Sequence, residues 1–289
     1  MTTFVAGHLM AGPGAEGLAE RLSEQAAEEI GELDLSAEEI DSAFGSAFSA
    51  FWAHCLVDAE AAHLRTRRAA VVASEVGTAL FAVTAVEEGT VQCFLDGRVR
   101  EIPATGWQTY ADADNWLDAF YLALICRDGE QARWLCGIPV ERLRAAPDDG
   151  DDGFTYAWIE ALQAHRLQRP DAATALAAAR EAARDAAEQL QRPLVRLLAE
   201  LGGGGAEFGP ALVEAVELHR AYWTATEERA GQPAGGLALG ALALACWAFD
   251  LGHPVAVESP YLPVRLIDRA WPGGRSGTYD HCSTGDGRQ

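Results

Sequence analysis

The chain has 289 residues, with 43 acidic side chains against 22 basic ones, all of them arginine, and a formal net charge of −21. A field of that sign repels nucleic acid and anionic membrane and draws cationic partners inward. The absence of lysine removes P-loop, Schiff-base and lysine general-base chemistry. Composition therefore points to a chain that binds something positive rather than one that handles phosphate, although GC-rich coding also exchanges lysine for arginine. Hydrophobic residues make up 49% of the chain, and a chain of this size buries roughly 75% of its unfolded surface, in one large domain or two small ones.

Residues 1–14 read as a flexible start, with no basic region or sustained apolar run that would make a signal peptide. Ser36-Ala37-Glu38-Glu39 has the form of a capping box and predicts a helix whose Phe44, Phe48, Phe51 and Cys55 recur at helical spacing. A second helix runs through Val72, Val76, Ala79 and Val83. The period then changes. Thr90 to Leu95 and Arg98 to Ile102 are β-prone runs around Asp96-Gly97, a strong two-residue hairpin signal, and Ala104-Thr105-Gly106 makes the following loop. Asp112 or Asp114 caps a helix carrying Trp116, Phe120, Ala123 and Leu124, and Asp128-Gly129 turns it into a short helix with Trp134 and Leu135.

After an acidic loop, a helix with Phe154, Trp158 and Leu162 meets an alanine-rich partner over Ala172 to Leu190, started by Arg169-Pro170-Asp171. Pro193 suits the first turn of another short helix. Gly202 to Gly205 reads as a flexible break and candidate hinge. The last pair covers about Glu207 to Arg229 and Gly235 to Leu251. Within it, Leu237 to Phe249 is too short to span a membrane and reads as a core helix. A final helical turn is expected at Val264 to Ala270, with residues 273–289 as a disordered tail. The expected fold is all-α, an array of paired helices over residues 15–272 with one small β-hairpin.

Candidate chemistry is sparse. Cys55, Cys93, Cys126, Cys136, Cys246 and Cys282 form no CxxC pair, which suits reduced thiols in a cytoplasmic protein. His165 and His219 sit on apolar helix stripes, where a histidine is most often a core residue. His54 and Cys55 are neighbours on a helix and point about 100° apart, so they make no dyad. Asp149, Asp151 and Glu160 fit calcium-loop positions 1, 3 and 12, but Gly153 and Phe154 fall where the loop needs a ligand and a glycine. No metal or cofactor is expected. The loop with Asp148, Asp149, Asp151 and Asp152 remains a solvated segment or a docking surface for a basic partner. Trp107 and Tyr110, in the loop after the hairpin, are the aromatic anchors to consider, or else fold back on their own domain.

Several blocks resemble the immunity protein 49 family of bacterial polymorphic toxin systems. They are Gly89-Thr90-Val91-Gln92-Cys93 with Ala104-Thr105-Gly106, Asn115-Trp116-Leu117 with Ala119-Phe120, and Ile125-Cys126-Arg127-Asp128. Later come Leu218-His219-Arg220-Ala221-Tyr222-Trp223-Thr224, Ala245-Cys246 with Asp250 and Gly252, then Glu258-Ser259 and Tyr261-Leu262-Pro263. The likeness runs from roughly Ser36 to Trp271. It implies a helical, non-catalytic protein that neutralises a cognate toxin domain by binding it, with neither nucleic acid nor membrane as partner. It brings no catalytic motif and no set of toxin-contacting residues. Two other readings stay open: a helical scaffold for another cellular protein, and a small-molecule enzyme drawing on scattered residues such as Glu75, His165, His219 and Glu258.

Overall fold

Large aromatic side chains set against alanine and glycine organise the first layer of helices. The computed structural model describes residues 2–9, 11–144, 153–185, 190–269 and 282–284. A two-residue strand β1 (Thr3–Phe4) opens the chain, followed by α1 (Ala15–Glu32), α2 (Ile40–Val57) and α3 (Leu64–Thr84). α2 packs against both α1 and α3. The stripe Phe44, Phe48, Phe51 and Cys55 is buried as its spacing predicts. Gly77 of α3 lets α2 and α4 close in: a Cβ there would lie 2.7 Å from Phe44 Cε2 and 3.1 Å from Ala119 Cβ. Residues Ala73 to Thr84 of α3 are buried on every face, so α3 is the central helix of this half.

The hairpin is β2 (Thr90–Leu95) and β3 (Arg98–Pro103), paired antiparallel with Leu95 opposite Arg98. Asp96 and Gly97 both have positive φ, 48° and 84°, which is what a two-residue turn of matching twist requires. α4 (Ala113–Cys126) starts at Asp112, whose carboxylate accepts from the Asn115 amide, and α5 (Gly129–Leu135) starts at Asp128, which accepts from the Gln131 amide. α6 (Val140–Leu143) is a single turn.

The second half comprises α7 (Phe154–Arg166), α8 (Ala172–Asp185), α9 (Gln191–Gly203), α10 (Phe208–Trp223), α11 (Glu227–Ala230) and α12 (Leu239–Asp250). α12 packs on α4, α9 and α10, with Ala241 to Cys246 all buried. Its stretch Pro233–Asp250 is apolar enough by composition to cross a membrane, but in this fold α12 is a core helix. Strand β4 (Val257–Glu258) and α13 (Val264–Ile267) follow, and β5 (Cys282–Thr284) is the last described element. The fold is mainly all-α, as expected.

The departures are local. The capping box at Ser36 does not open a helix. Its hydroxyl accepts from the Glu38 amide at 3.2 Å, two residues on, which makes a turn, and α2 begins at Ile40 without a side-chain cap. Three further strands, too short to leave a sequence signal, accompany the hairpin, and one of them joins its sheet. β1 pairs parallel with β4, and β5 lies antiparallel to β2. Residues 2–9, read as part of a flexible start, thus carry strand pairing, a buried Val5, and His8 hydrogen-bonded to the Tyr261 hydroxyl at 2.6 Å.

Gly202 and Gly203 are the last residues of α9 rather than a linker. Gly204 and Gly205 then turn with φ of 99° and 74°, and Gly205 donates to the Glu200 carbonyl. A Cβ on Gly205 would lie 2.3 Å from His253 Nδ1, so close packing as well as positive φ requires glycine there. The last expected helical pair is interrupted: α10 ends at Trp223, and Thr226 caps α11 by accepting from the Arg229 amide.

Candidate functional site

Loop anchoring decides where the two predicted aromatic anchors go. Thr105 and Gly106 donate to the Val83 and Val86 carbonyls, which ties the loop after β3 to the end of α3. Trp107 then turns inward. It packs on Phe81 at 6.5 Å between ring centroids, with the Arg142 guanidinium 4.6 Å from its own ring. Tyr110 faces another way, into a surface pocket of about 410 Å³ shared with Leu35, Glu38, Pro103 and Gln108. Burial pushes the Tyr110 hydroxyl pKa up, and Asp41 and Glu38 push it further. Leu35 beside it is 85% exposed. The loop therefore does not bring Trp107 and Tyr110 together as one anchor. Asp148, Asp149, Asp151 and Asp152 lie outside the described residues.

A second concave feature is a groove of about 390 Å³ over α2, walled by α1 and α3. Its floor is small and apolar, Ala47 and Ala50 of α2, and Ala27, Ala69 and Val72 continue that lining along the walls. At its bottom His54 shares a hydrogen bond with the Ser23 hydroxyl, 2.9 Å from Nε2. Burial and then Arg65 lower the His54 pKa, against Glu20 and Asp58, so His54 is neutral near pH 7. Arg65 reaches from α3 to Glu16 (3.0 Å) and Glu20 (3.7 Å) of α1, closing one end, and Arg68 pairs with Asp96 at 2.8 Å.

Three of the four residues considered for an enzyme have a structural partner of their own. Glu75 accepts from the Asp96 amide at 2.8 Å and holds the hairpin turn to α3. His165 meets the edge of Trp247 at 5.3 Å between ring centroids. His219 donates to the Gly235 carbonyl at 2.9 Å, and burial lowers its pKa to about 4. Glu258 lies on β4 and is exposed. Burial raises the thiols of Cys126 and Cys136 to about 12 and that of Cys246 to about 11, which removes the thiolate a nucleophile needs. Among the described residues no group of three His, Cys, Asp or Glu side chains is placed to hold a metal ion.

Two features escaped sequence reasoning. Asp118 is half-buried on α4, and burial, then Asp114 and Asp112, raises its pKa to about 7. The i, i+4 spacing of Asp114 and Asp118 was the available signal. Arg127 caps α4 with φ 60°. Its guanidinium donates to the carbonyls of Ile125 (2.8 Å), Leu266 (2.7 Å) and Ile267 (2.6 Å), and pairs with Asp250 at 3.2 Å. Residues far apart in the chain, Arg127, Asp250 and α13, thus form one clamp. Tyr261 extends the same logic, joining His8 by a hydrogen bond and His219 by an edge contact at 4.9 Å.

The described residues thus define an acidic helical protein with open surface concavities. The family profile of immunity protein 49 matches residues 58–266, more than half of the chain, and the chain belongs to that family. Comparison with curated proteins and with solved structures returns no match. Arg127, His219, Asp250 and Tyr261 all fall inside the matched residues. Both clusters are structural clamps, so these blocks of likeness report the fold rather than a contact surface.

Proposed function

We propose that the chain neutralises one cognate toxin of a polymorphic toxin system by stoichiometric, non-catalytic binding, and that it does so in the cytoplasm. The observation that carries this reading is its membership of the immunity protein 49 family across residues 58–266. The net charge of −21 supports a basic toxin surface, because opposite fields raise the encounter rate and like fields suppress wrong partners. Thiols of raised pKa and separately bonded histidines favour binding over covalent chemistry.

Within this reading Tyr110 and the exposed Leu35 beside it are contact residues. Trp107 acts indirectly, by holding the loop that carries Tyr110 against Phe81. Asp148, Asp149, Asp151 and Asp152 contribute four negative charges to long-range attraction. The test is co-expression with a candidate C-terminal toxin domain drawn from the chain's gene neighbourhood, with purification through a tag on the toxin. The proposal expects the two to co-elute in equimolar amounts. Toxin recovered alone, with the chain in the flow-through, would contradict it.

A further inference from the structure

The groove over α2 has the form of a helical layer with one member missing. All three helices present side chains to it at helical spacing: 20, 23, 24, 27 and 30 from α1, 47, 50 and 54 from α2, and 65, 68, 69 and 72 from α3. Ten residues of α1 rise about 15 Å, the length of roughly three helical turns. A floor of alanine lets another backbone approach closely, where longer side chains would hold it off.

The walls decide what kind of segment fits. They are helices whose backbone amides are already bonded within the helix. They offer no free edge to an extended strand, so affinity there comes from side chains alone, as for an amphipathic helix laid into a groove. The Ser23 hydroxyl at the bottom is taken up by the Ala19 carbonyl and His54 Nε2, which leaves it no free donor for a small ligand.

Charge decides whose segment it is. On the α3 side Arg65 and Arg68 are matched by Glu16, Glu20 and Asp96. On the α1 side Glu24 is exposed, and among the described residues it forms no ion pair. A second copy of the chain, itself at −21, would be repelled, and so would an anionic membrane.

We propose that this groove seats one amphipathic helix of the toxin, about three turns long, with small apolar side chains on the alanine floor and arginine or lysine along the α1 rim. The proposal rests on the immunity reading. α1 and α2 precede residue 58, where the family match begins, while the α3 wall lies inside it, so the α1 rim is where partner choice can differ without disturbing the matched fold.

The experiment measures association and dissociation of the toxin domain identified by co-purification, using the full chain and three variants. Ala27 is exposed, so Ala27→Trp plugs the groove from its open side without entering the core. Glu24→Arg reverses the free charge at the rim. Glu227→Arg, on exposed α11, makes the same change in charge elsewhere. Circular dichroism and melting establish that each variant is folded, and light scattering gives its oligomeric state. The expected result is a Kd raised at least about thirtyfold by Ala27→Trp, mainly through the off-rate. Glu24→Arg should raise Kd about tenfold, mainly through the on-rate, and by more than Glu227→Arg does.

Parent-like binding by folded Ala27→Trp overturns the groove while leaving immunity standing. Equal effects of Glu24→Arg and Glu227→Arg also overturn it, and this arm holds even if the tryptophan variant fails to fold. A parent that is dimeric and becomes monomeric on Ala27→Trp assigns the groove to a second copy and overturns the proposal. Failure of the parent chain to bind the toxin removes the immunity reading and the proposal with it.

Discussion

Arg127 is the residue whose removal should damage the fold most for the fewest atoms lost. Its side chain is 10% exposed, and its guanidinium serves three carbonyls and the Asp250 carboxylate. Hydrogen bonds from a charged group contribute about 1.5–3 kcal/mol each, and breaking a buried pair about 3–5 kcal/mol in all, since such terms do not add. Asp250 keeps Arg269 at 2.8 Å, and water can reach part of the vacated space, so Arg127→Ala should lose about 3–4 kcal/mol.

Backbone conformation supplies an internal control. Arg127 has φ 60°, where a Cβ costs about 1 kcal/mol relative to glycine. Arg127→Gly loses the same contacts but should be less damaging than Arg127→Ala by about that amount. Arg127→Lys should fall between parent and alanine, because an ammonium cannot reproduce the planar fork. Guanidinium denaturation followed by tryptophan fluorescence measures all three, and amide exchange should report the earliest opening at Val264–Ile267. Arg127→Ala within about 0.5 kcal/mol of the parent, or glycine more damaging than alanine, would refute the clamp.

Three further outcomes follow from the same structure. The folded-state pKa of Asp118, about 7, lies above its unfolded value of about 3.9. The native state therefore binds more protons between those values, and stability falls as pH rises through that window, by about 1–3 kcal/mol at pH 8. Asp118→Asn should remove that fall, matching the parent near pH 4 and exceeding it at pH 8; parallel stability–pH curves would count against it. Gly77→Ala gains about 1 kcal/mol of helix propensity but drives a Cβ to 2.7 Å from Phe44, so it should lose about 1–2 kcal/mol net in denaturant titration. The on-rate for the toxin domain should fall steeply with salt, since the field is screened beyond about 8 Å at physiological ionic strength, while the off-rate should change little. A salt-independent on-rate would defeat steering.

What the sequence disclosed follows from how local each signal is. Asp96-Gly97 encodes its own positive φ, and Asp112 and Asp128 cap within three residues, so those features were readable. The aromatic stripe of α2 was equally plain. α1 gave no such stripe, because its buried residues are only Ala19, Ala26 and Ile30. The groove is a property of three helices together, and no single helix announces it. Trp107 and Tyr110 are three positions apart, yet the ties of Thr105 and Gly106 to α3 send their rings into different surroundings. The glycine run fits a linker by composition, whereas packing against His253 makes its end a helix terminus. Asp118 needed its burial to be known before its spacing from Asp114 had meaning.

Titrating toxin activity with the purified chain tests the central claim most directly. Stoichiometric binding predicts a linear fall that reaches full inhibition at one chain per toxin domain, with the toxin recovering its activity once the two are separated under denaturing conditions and the toxin is refolded. Full inactivation at a small fraction of an equivalent, with the separated and refolded toxin still inactive, would contradict stoichiometric binding and identify an enzyme that modifies its target.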